Sequence, residues 1–285
     1  MIVVTGATGN VGRALVASLT GAGHAVTAVA RGIGAPLPAG RHVTPATADL
    51  SAPETLAPAL AGAEALFLLV PGAGAGIDAP ALLKAAAAAG AGRVVLLSSQ
   101  AVGTRPGAVS HAPMAAIEEA VRAAGLEWTI LRAGSLASNT LAWAPDVRAG
   151  RAVAAPYGDV ALPVVDPADV AEVAAAALTG GTHTGRSYVL TGPEPVSPRE
   201  CTQILGTVLG RPLGFAELSG EEARARMLSF MPAPVADGTL AILGHPTPEE
   251  TRVSPDVARV LGRPGRPFAD WARRNADAFR PVSRP

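Results

Sequence analysis

A short apolar run, Ile2-Val3-Val4-Thr5, leads directly into Gly6-Ala7-Thr8-Gly9-Asn10-Val11-Gly12, and an amphipathic stretch continues to Gly21. Few sequence features restrict a fold so strongly. Here a strand must turn sharply at Gly6, lay its backbone against a ligand near Gly9 and let a helix pack tightly at Gly12. The N–H groups from Thr8 to Val11 sit where free donors and the helix dipole favour an anion. The spacing therefore predicts a dinucleotide pyrophosphate on Gly6, Thr8, Gly9, Asn10, Val11 and Gly12. A tight turn without a ligand would use the same residues. The strand before it and the helix after it favour the ligand.

The next 170 or so residues (read by alternation of short β-branched and longer Ala/Leu-rich runs) repeat the βαβ pattern of a parallel sheet. Strands are expected at Ile2–Thr5, Ala25–Ala30, His42–Ala46, Ala65–Leu69, Arg93–Ser98, Trp128–Arg132 and Tyr188–Leu190. Helices are expected at Val11–Gly21, Ala52–Ala61, Ala79–Ala89 and Ala112–Ala124. Ser197-Pro198-Arg199-Glu200 and Ser219-Gly220-Glu221-Glu222 carry capping boxes, and Asp166-Pro167-Ala168-Asp169 has a cap, a first-turn proline and an acid. The expected fold is α/β, a Rossmann doubly wound parallel sheet over residues 1–192. A small, mostly helical lobe over residues 193–285 is expected to cover a substrate.

Charge excludes some functions. With 23 basic and 23 acidic residues the net charge is zero, so the basic footprint of a nucleic-acid binder is missing. Cys201 is the single cysteine, which fits a reducing compartment. No secretory signal and no membrane-length apolar run are seen, so a cytoplasmic protein acting on a small molecule is expected. Metal-ligand spacing, a serine-hydrolase elbow and a P-loop are all missing, so no metal is expected. The sequence leaves the oligomeric state open.

Arg31 ends the second strand, about twenty residues past the turn, where such folds read the adenosine ribose. An acid there would accept the 2′-hydroxyl, whereas a guanidinium pairs with a 2′-phosphate. NADP(H) is therefore the expected cofactor. Asp49 follows the third strand and either accepts from adenine or caps the helix near Pro53. Leu69, Val70 and Pro71 end the fourth strand, and Ser98 and Ser99 the fifth, at the carboxyl edge where ligands sit. Ala133, Gly134 and Ser135 follow the sixth, small enough for a nicotinamide to lie flat, and a plain βα turn would use the same residues.

The opening Val4 to Gly12 resembles that of atypical short-chain dehydrogenases of the NmrA-like group. The likeness continues in Gly125-Leu126-Glu127-Trp128-Thr129-Ile130-Leu131-Arg132, in Asn139, in Val165 to Ala171, in Tyr188 to Glu194 and in Leu209-Gly210-Arg211-Pro212. That group includes NAD(P)H-dependent quinone, azo-dye and triphenylmethane reductases, and regulators that sense the dinucleotide without turnover. The resemblance implies that Arg31 reads the NADP phosphate, that the segment after Arg132 lies along the nicotinamide, and that Asn139 lies near the ring.

The usual Tyr-x-x-x-Lys acid of short-chain dehydrogenases is missing, since neither Tyr157 nor Tyr188 has Lys four residues on. Gln100 stands where the catalytic hydroxyl would, and His111 lies in the region that would hold the pair. The sequence names no proton donor: His111, Gln100 and Tyr157 are the catalytic candidates, and His111 reads more readily as a plain loop histidine. Asn139, Trp143, Tyr157, Met227, Phe230 and Met231 are the candidate substrate contacts; the last three fall at i, i+3, i+4 on one helix face, a stripe that more often marks plain core, and Asn139 could instead cap a helix. The expected function is NADPH-dependent hydride transfer to a small apolar conjugated or aromatic, quinone-like substrate. The alternatives are an NADP(H)-sensing regulator and a non-redox enzyme on the same fold.

Overall fold

The computed structural model describes residues 1–32 and 40–281, so the end of the expected C-terminal lobe, 282–285, lies outside the described residues. In chain order the strands are β1 (Ile2–Thr5), β2 (Val26–Ala30), β3 (Val43–Thr47), β4 (Ala65–Leu68), β5 (Arg93–Ser99), β6 (Glu127–Ala133), β7 (Val153–Pro156), β8 (Arg186–Leu190) and β9 (Phe215–Leu218). Seven of them form one sheet in the order β3-β2-β1-β4-β5-β6-β8, parallel throughout. The order reverses between β1 and β4, which opens a crevice at their carboxyl ends.

Burial explains the composition of these strands. Every residue of β1, β2 and β4 is buried, as expected for strands covered on both faces. Each fully buried Val or Leu there contributes roughly 1.5–3 kcal/mol. Strand β3 sits at the sheet edge, is largely exposed and carries Pro45, a residue that a central ladder would reject.

The chain forms two compact units that interleave along the sequence. The first comprises Met1–Ala133, Pro167–Leu190 and Asp256–Gly262, and the second Gly134–Asp166, Thr191–Pro255 and Arg263–Pro285. Sequence alternation suggests a single boundary at 192. Instead, residues 134–166 leave the sheet early, and the helix Asp256–Leu261 returns to it, where the Asp256 carboxylate accepts from the N–H of Val189 on β8 at 2.8 Å. The first unit centres on a cluster that includes Leu66, Leu68, Leu82, Leu96 and Ile130. The second packs Val147, Leu205, Phe268, Trp271 and Phe279, with Trp271 stacked on Phe268 at 5.5 Å.

Three local expectations differ from the fold. Ala52–Ala61 is a 3₁₀ turn, Pro53–Leu56, followed by one helical turn, Ala57–Leu60, because Pro58 lacks the N–H that a continuous helix from Pro53 would need there. The second unit is not wholly helical: β9 pairs in parallel with β7, Val153 opposite Phe215. Each of these strands is four residues long and gains its ladder from a partner some sixty residues away, so neither stands out locally. The capping boxes at Ser197 and Ser219 form as expected, and a third at Thr247-Pro248-Glu249-Glu250 starts another short helix within a stretch that reads as a Pro-rich connection.

Candidate functional site

The glycine turn builds a cradle at the end of β1. Gly6 takes φ +65°, which a side chain resists, and its carbonyl accepts the N–H of Gly9 at 2.9 Å. Helix Asn10–Gly21 begins one residue later. Arg13 is the first residue to bond back, to Gly9 at 3.0 Å, so the N–H groups of Asn10, Val11 and Gly12 have no partner within the helix. A Cβ on Gly12 would lie 2.1 Å from the Gly6 carbonyl oxygen. Only glycine permits the helix to begin this close to the turn.

Thr5 ties the two sides of the crevice together. Its Oγ1 accepts from the N–H of Leu69 at 2.8 Å, across the β1–β4 reversal. A hollow of about 220 Å³ opens there, lined by Thr5, Gly6, Thr8, Gly9 and Arg31 with Ala48, Leu50, Leu69 and Pro71 among its apolar walls. No carboxylate among the described residues lines it. Arg31 is exposed and in no ion pair with a described residue. Helix-start donors, a guanidinium and apolar walls suit a phosphorylated adenosine, so the residues present fit a dinucleotide.

Several of the residues expected at the cofactor do not line this hollow. Asp49 is exposed, outside the hollow, and does not cap the turn at Pro53, whose cap position is Ala52. Its Oδ1 accepts from the Ser51 N–H at 2.9 Å and hydroxyl at 2.8 Å, and those bonds, with a weaker pull from Arg31, hold its carboxyl below the ordinary range. Its neighbours Ala48 and Leu50 line the hollow instead. Val11 and Val70 are buried. Ser98 donates to Glu118 at 2.7 Å, and Ser99 Oγ accepts from the N–H of Ala101 at 3.2 Å. Ala133 ends β6, and Gly134 and Ser135 open the second unit.

The second unit holds its own cavity of about 500 Å³. Asn139, Trp143, Tyr157, Met227, Phe230 and Met231 all line it, together with Ser135. The last three do not share a helix face. The helix ends at Met227, and Phe230 and Met231 follow in a turn whose N–H groups bond back to the Met227 carbonyl at 3.1 and 3.0 Å. Leu162, Val196, Ile242 and Leu243 are among the other wall residues and carry no sequence signal beyond being apolar. No described lining residue is charged. Cys201 lies in the wall, and burial, helped by Glu200, pushes its thiol up to about 12.

Of the catalytic candidates, only Tyr157 lines this cavity. Gln100 is buried, and its N–H donates to the Ala133 carbonyl at 2.8 Å. His111 precedes helix Ala112–Ala123, with its Nδ1 2.9 Å from Ser110 Oγ.

The strand order, the glycine cradle at its reversal and the hollow beside Arg31 define a Rossmann-type dinucleotide-binding protein. A family model described as NAD(P)H-binding matches residues 6–180, and the chain belongs to that family. It is 40% identical over 291 residues to a (4-alkanoyl-5-oxo-2,5-dihydrofuran-3-yl)methyl phosphate reductase of Streptomyces griseus subsp. griseus, covering 99% of this chain and 100% of that protein. An NAD(P)H azoreductase of Xenophilus azovorans is 30% identical over 285 residues, covering 98% and 99%. The crystal structure of an NADPH-dependent quinone oxidoreductase of Escherichia coli complexed with NADPH matches with a TM-score of 0.76 at 25% identity, covering 96% of this chain and 99% of that one. No helix among the described residues is long and apolar enough to cross a membrane.

Proposed function

We propose that this protein is an NADPH-dependent reductase of a small, neutral, conjugated substrate. The observation that carries this reading is the cavity of about 500 Å³ whose described lining is uncharged and largely apolar. Its size falls within the range of small-molecule sites, and its aromatic and thioether side chains suit a flat conjugated ring. Full-length similarity to two reductases supports the reaction class.

In this reading the N–H groups of Asn10, Val11 and Gly12 hold the pyrophosphate, and Arg31 pairs with the 2′-phosphate. Ala48, Leu50, Leu69 and Pro71 flank the adenosine half. The bound cofactor supplies a hydride, and Ser135, Asn139, Trp143 and the residues after helix Gly220–Met227 hold the acceptor. Acceptors that form a stable anion, such as quinones and enones, need positioning more than a strong acid. The partners are small molecules, and the single, deeply buried thiol supports a cytosolic location.

The test is NADPH oxidation, followed by cofactor absorbance, against a panel of quinones, azo dyes and enones, with the butenolide phosphate type of the Streptomyces relative included. Turnover of neutral acceptors is expected. Tight NADPH binding without turnover of any of them would overturn the reading in favour of a dinucleotide sensor.

A further inference from the structure

We propose that Tyr157 is the hydrogen-bond and proton donor to the reducible oxygen of the substrate, with Gly244 as the positioning residue that fixes its ring. The proposal rests on the reading of the second unit's cavity as the substrate site.

Tyr157 has φ +53° and is the one described non-glycine residue with a positive φ. A bulky side chain keeps a left-handed backbone only where its surroundings hold it there, and such residues cluster at sites that need a side chain aimed. The turn is pinned on both sides. The N–H of Gly158 donates to Glu217 Oε1 at 3.2 Å, the carbonyl of Gly158 accepts from Arg199 at 3.0 Å, and the Tyr157 carbonyl accepts from Val160 at 3.0 Å. The ring then lies across Gly244, where a Cβ would come within 2.4 Å of Cζ and 2.6 Å of Cε1. The hydroxyl oxygen lies 3.4 Å from the place of a Gly220 Cβ. Gly244 thus leaves the space that the ring occupies, and Gly220 lies at contact distance from its hydroxyl.

The other donors in the wall serve this role less well. Thr140 and Thr239 donate to the carbonyls of Ala137 and Val235, at 2.7 and 2.8 Å. Ser135, Asn139 and Trp143 offer an alcohol, an amide and an indole N–H, all weaker acids than a phenol. Cys201 is held as a thiol by burial. The Tyr157 hydroxyl has no hydrogen-bond partner among the described residues, and a phenol both donates and ionises. As hydride from NADPH forms a C–H bond at the conjugated carbon, the π pair moves to the carbonyl oxygen. The Tyr157 O–H bond breaks as the new O–H bond forms, and water returns a proton to the phenolate. The substrate is reduced by two electrons and NADPH is oxidised.

The experiment compares wild type, Tyr157→Phe and Gly244→Ala with menadione, by NADPH oxidation and by equilibrium quenching of tryptophan fluorescence, Trp143 being in the cavity wall. Tyr157→Phe keeps the ring, so melting and NADPH affinity should hold. Its kcat/KM should fall by at least about tenfold, less than the roughly 10²- to 10⁴-fold of a full general acid because the anion of a reduced quinone is already stable. Its Kd for menadione should rise roughly three- to tenfold, the worth of one hydrogen bond. Gly244→Ala keeps the hydroxyl but displaces the ring, and should lower kcat as well. A Tyr157→Phe protein that binds and reduces menadione like wild type overturns the proposal, as does a wild type that does not bind menadione. A wild type that binds menadione without reducing it removes the reductase reading alone, and the Kd ratio of the two proteins then decides for or against Tyr157.

Discussion

Arg132 grips Glu118 with two parallel bonds, Nε to Oε1 at 2.9 Å and Nη2 to Oε2 at 2.7 Å, while Ser98 and Arg122 each add one more at 2.7 and 2.8 Å. Glu118 is 1% exposed and joins helix Ala112–Ala123 to β5 and β6 beside the carboxyl edge. Removing one partner of a buried pair costs about 3–5 kcal/mol, because the other charge loses its compensation. Arg132 is partly exposed and can be rehydrated, so Glu118→Gln should lie near the low end, about 3 kcal/mol. Urea denaturation checks this, and a loss below about 1 kcal/mol would remove the network from the account of stability.

The same network sets an acid limit. Burial, the largest single influence on Glu118, pushes its carboxyl up, but the bonds from Arg132, Ser98 and Arg122 outweigh it, and the carboxyl sits below its ordinary 4.5. A carboxylate lowered on folding contributes stability that is complete above its unfolded pKa and is lost as pH falls towards the folded one. Wild type should therefore lose stability below about pH 4.5, and the Glu118→Gln protein should lose less over the same window. Parallel melting curves of the two proteins below that pH would contradict this.

Gly9 and Gly12 should fail differently. A Cβ on Gly9 meets only the Gly6 carbonyl oxygen at 3.3 Å, so Gly9→Asp should fold and lose NADPH through charge repulsion at the pyrophosphate site. On Gly12 the same atom would be 2.1 Å from that oxygen, so Gly12→Ala should lose both NADPH affinity and about 1–3 kcal/mol of stability. Calorimetric titration and thermal melting of the pair separate the two effects.

Arg31→Asp should reverse the cofactor preference. One charge-assisted contact to a phosphate is worth about 1.5–3 kcal/mol, or roughly 10- to 150-fold in affinity, and the new carboxylate would accept a ribose hydroxyl. An unchanged ratio of NADPH to NADH dissociation constants would show that another residue reads the phosphate.

Cys201 should be inert in the native protein. With its thiol pushed up to about 12 by burial and by Glu200, only about one molecule in 10⁴ is thiolate at pH 8. Alkylation by iodoacetamide should be slow until urea unfolds the chain, and rapid native labelling would mean that the cavity wall opens.

Around Asp49 the sequence pattern fixes the segment but not which side chain faces the hollow. The third strand and its carboxyl end are legible from the pattern, yet Ala48 and Leu50 line the hollow while Asp49 turns to Ser51. These residues lie just past β3, where the chain path that decides which side chain faces the hollow is set by the tertiary fold. Thr5 was equally silent, because a strand-end threonine reveals no partner until Leu69 lies beside it.

What the sequence determined by itself is local. The turn from Gly6 to Gly12, the parallel sheet and the capping boxes follow from backbone sterics and hydrophobic period within a few neighbouring residues, so they can be read along the chain. Asn139, Trp143, Tyr157, Met227, Phe230 and Met231 also line one cavity. Only the tertiary structure decided that Tyr157 lies across Gly244, that Ser98 is committed to Glu118, and that residues 134–166 belong with the second unit. Each of these depends on which distant segments pack together, and packing is set by the sum of many weak contacts across the folded chain rather than by any short run of residues.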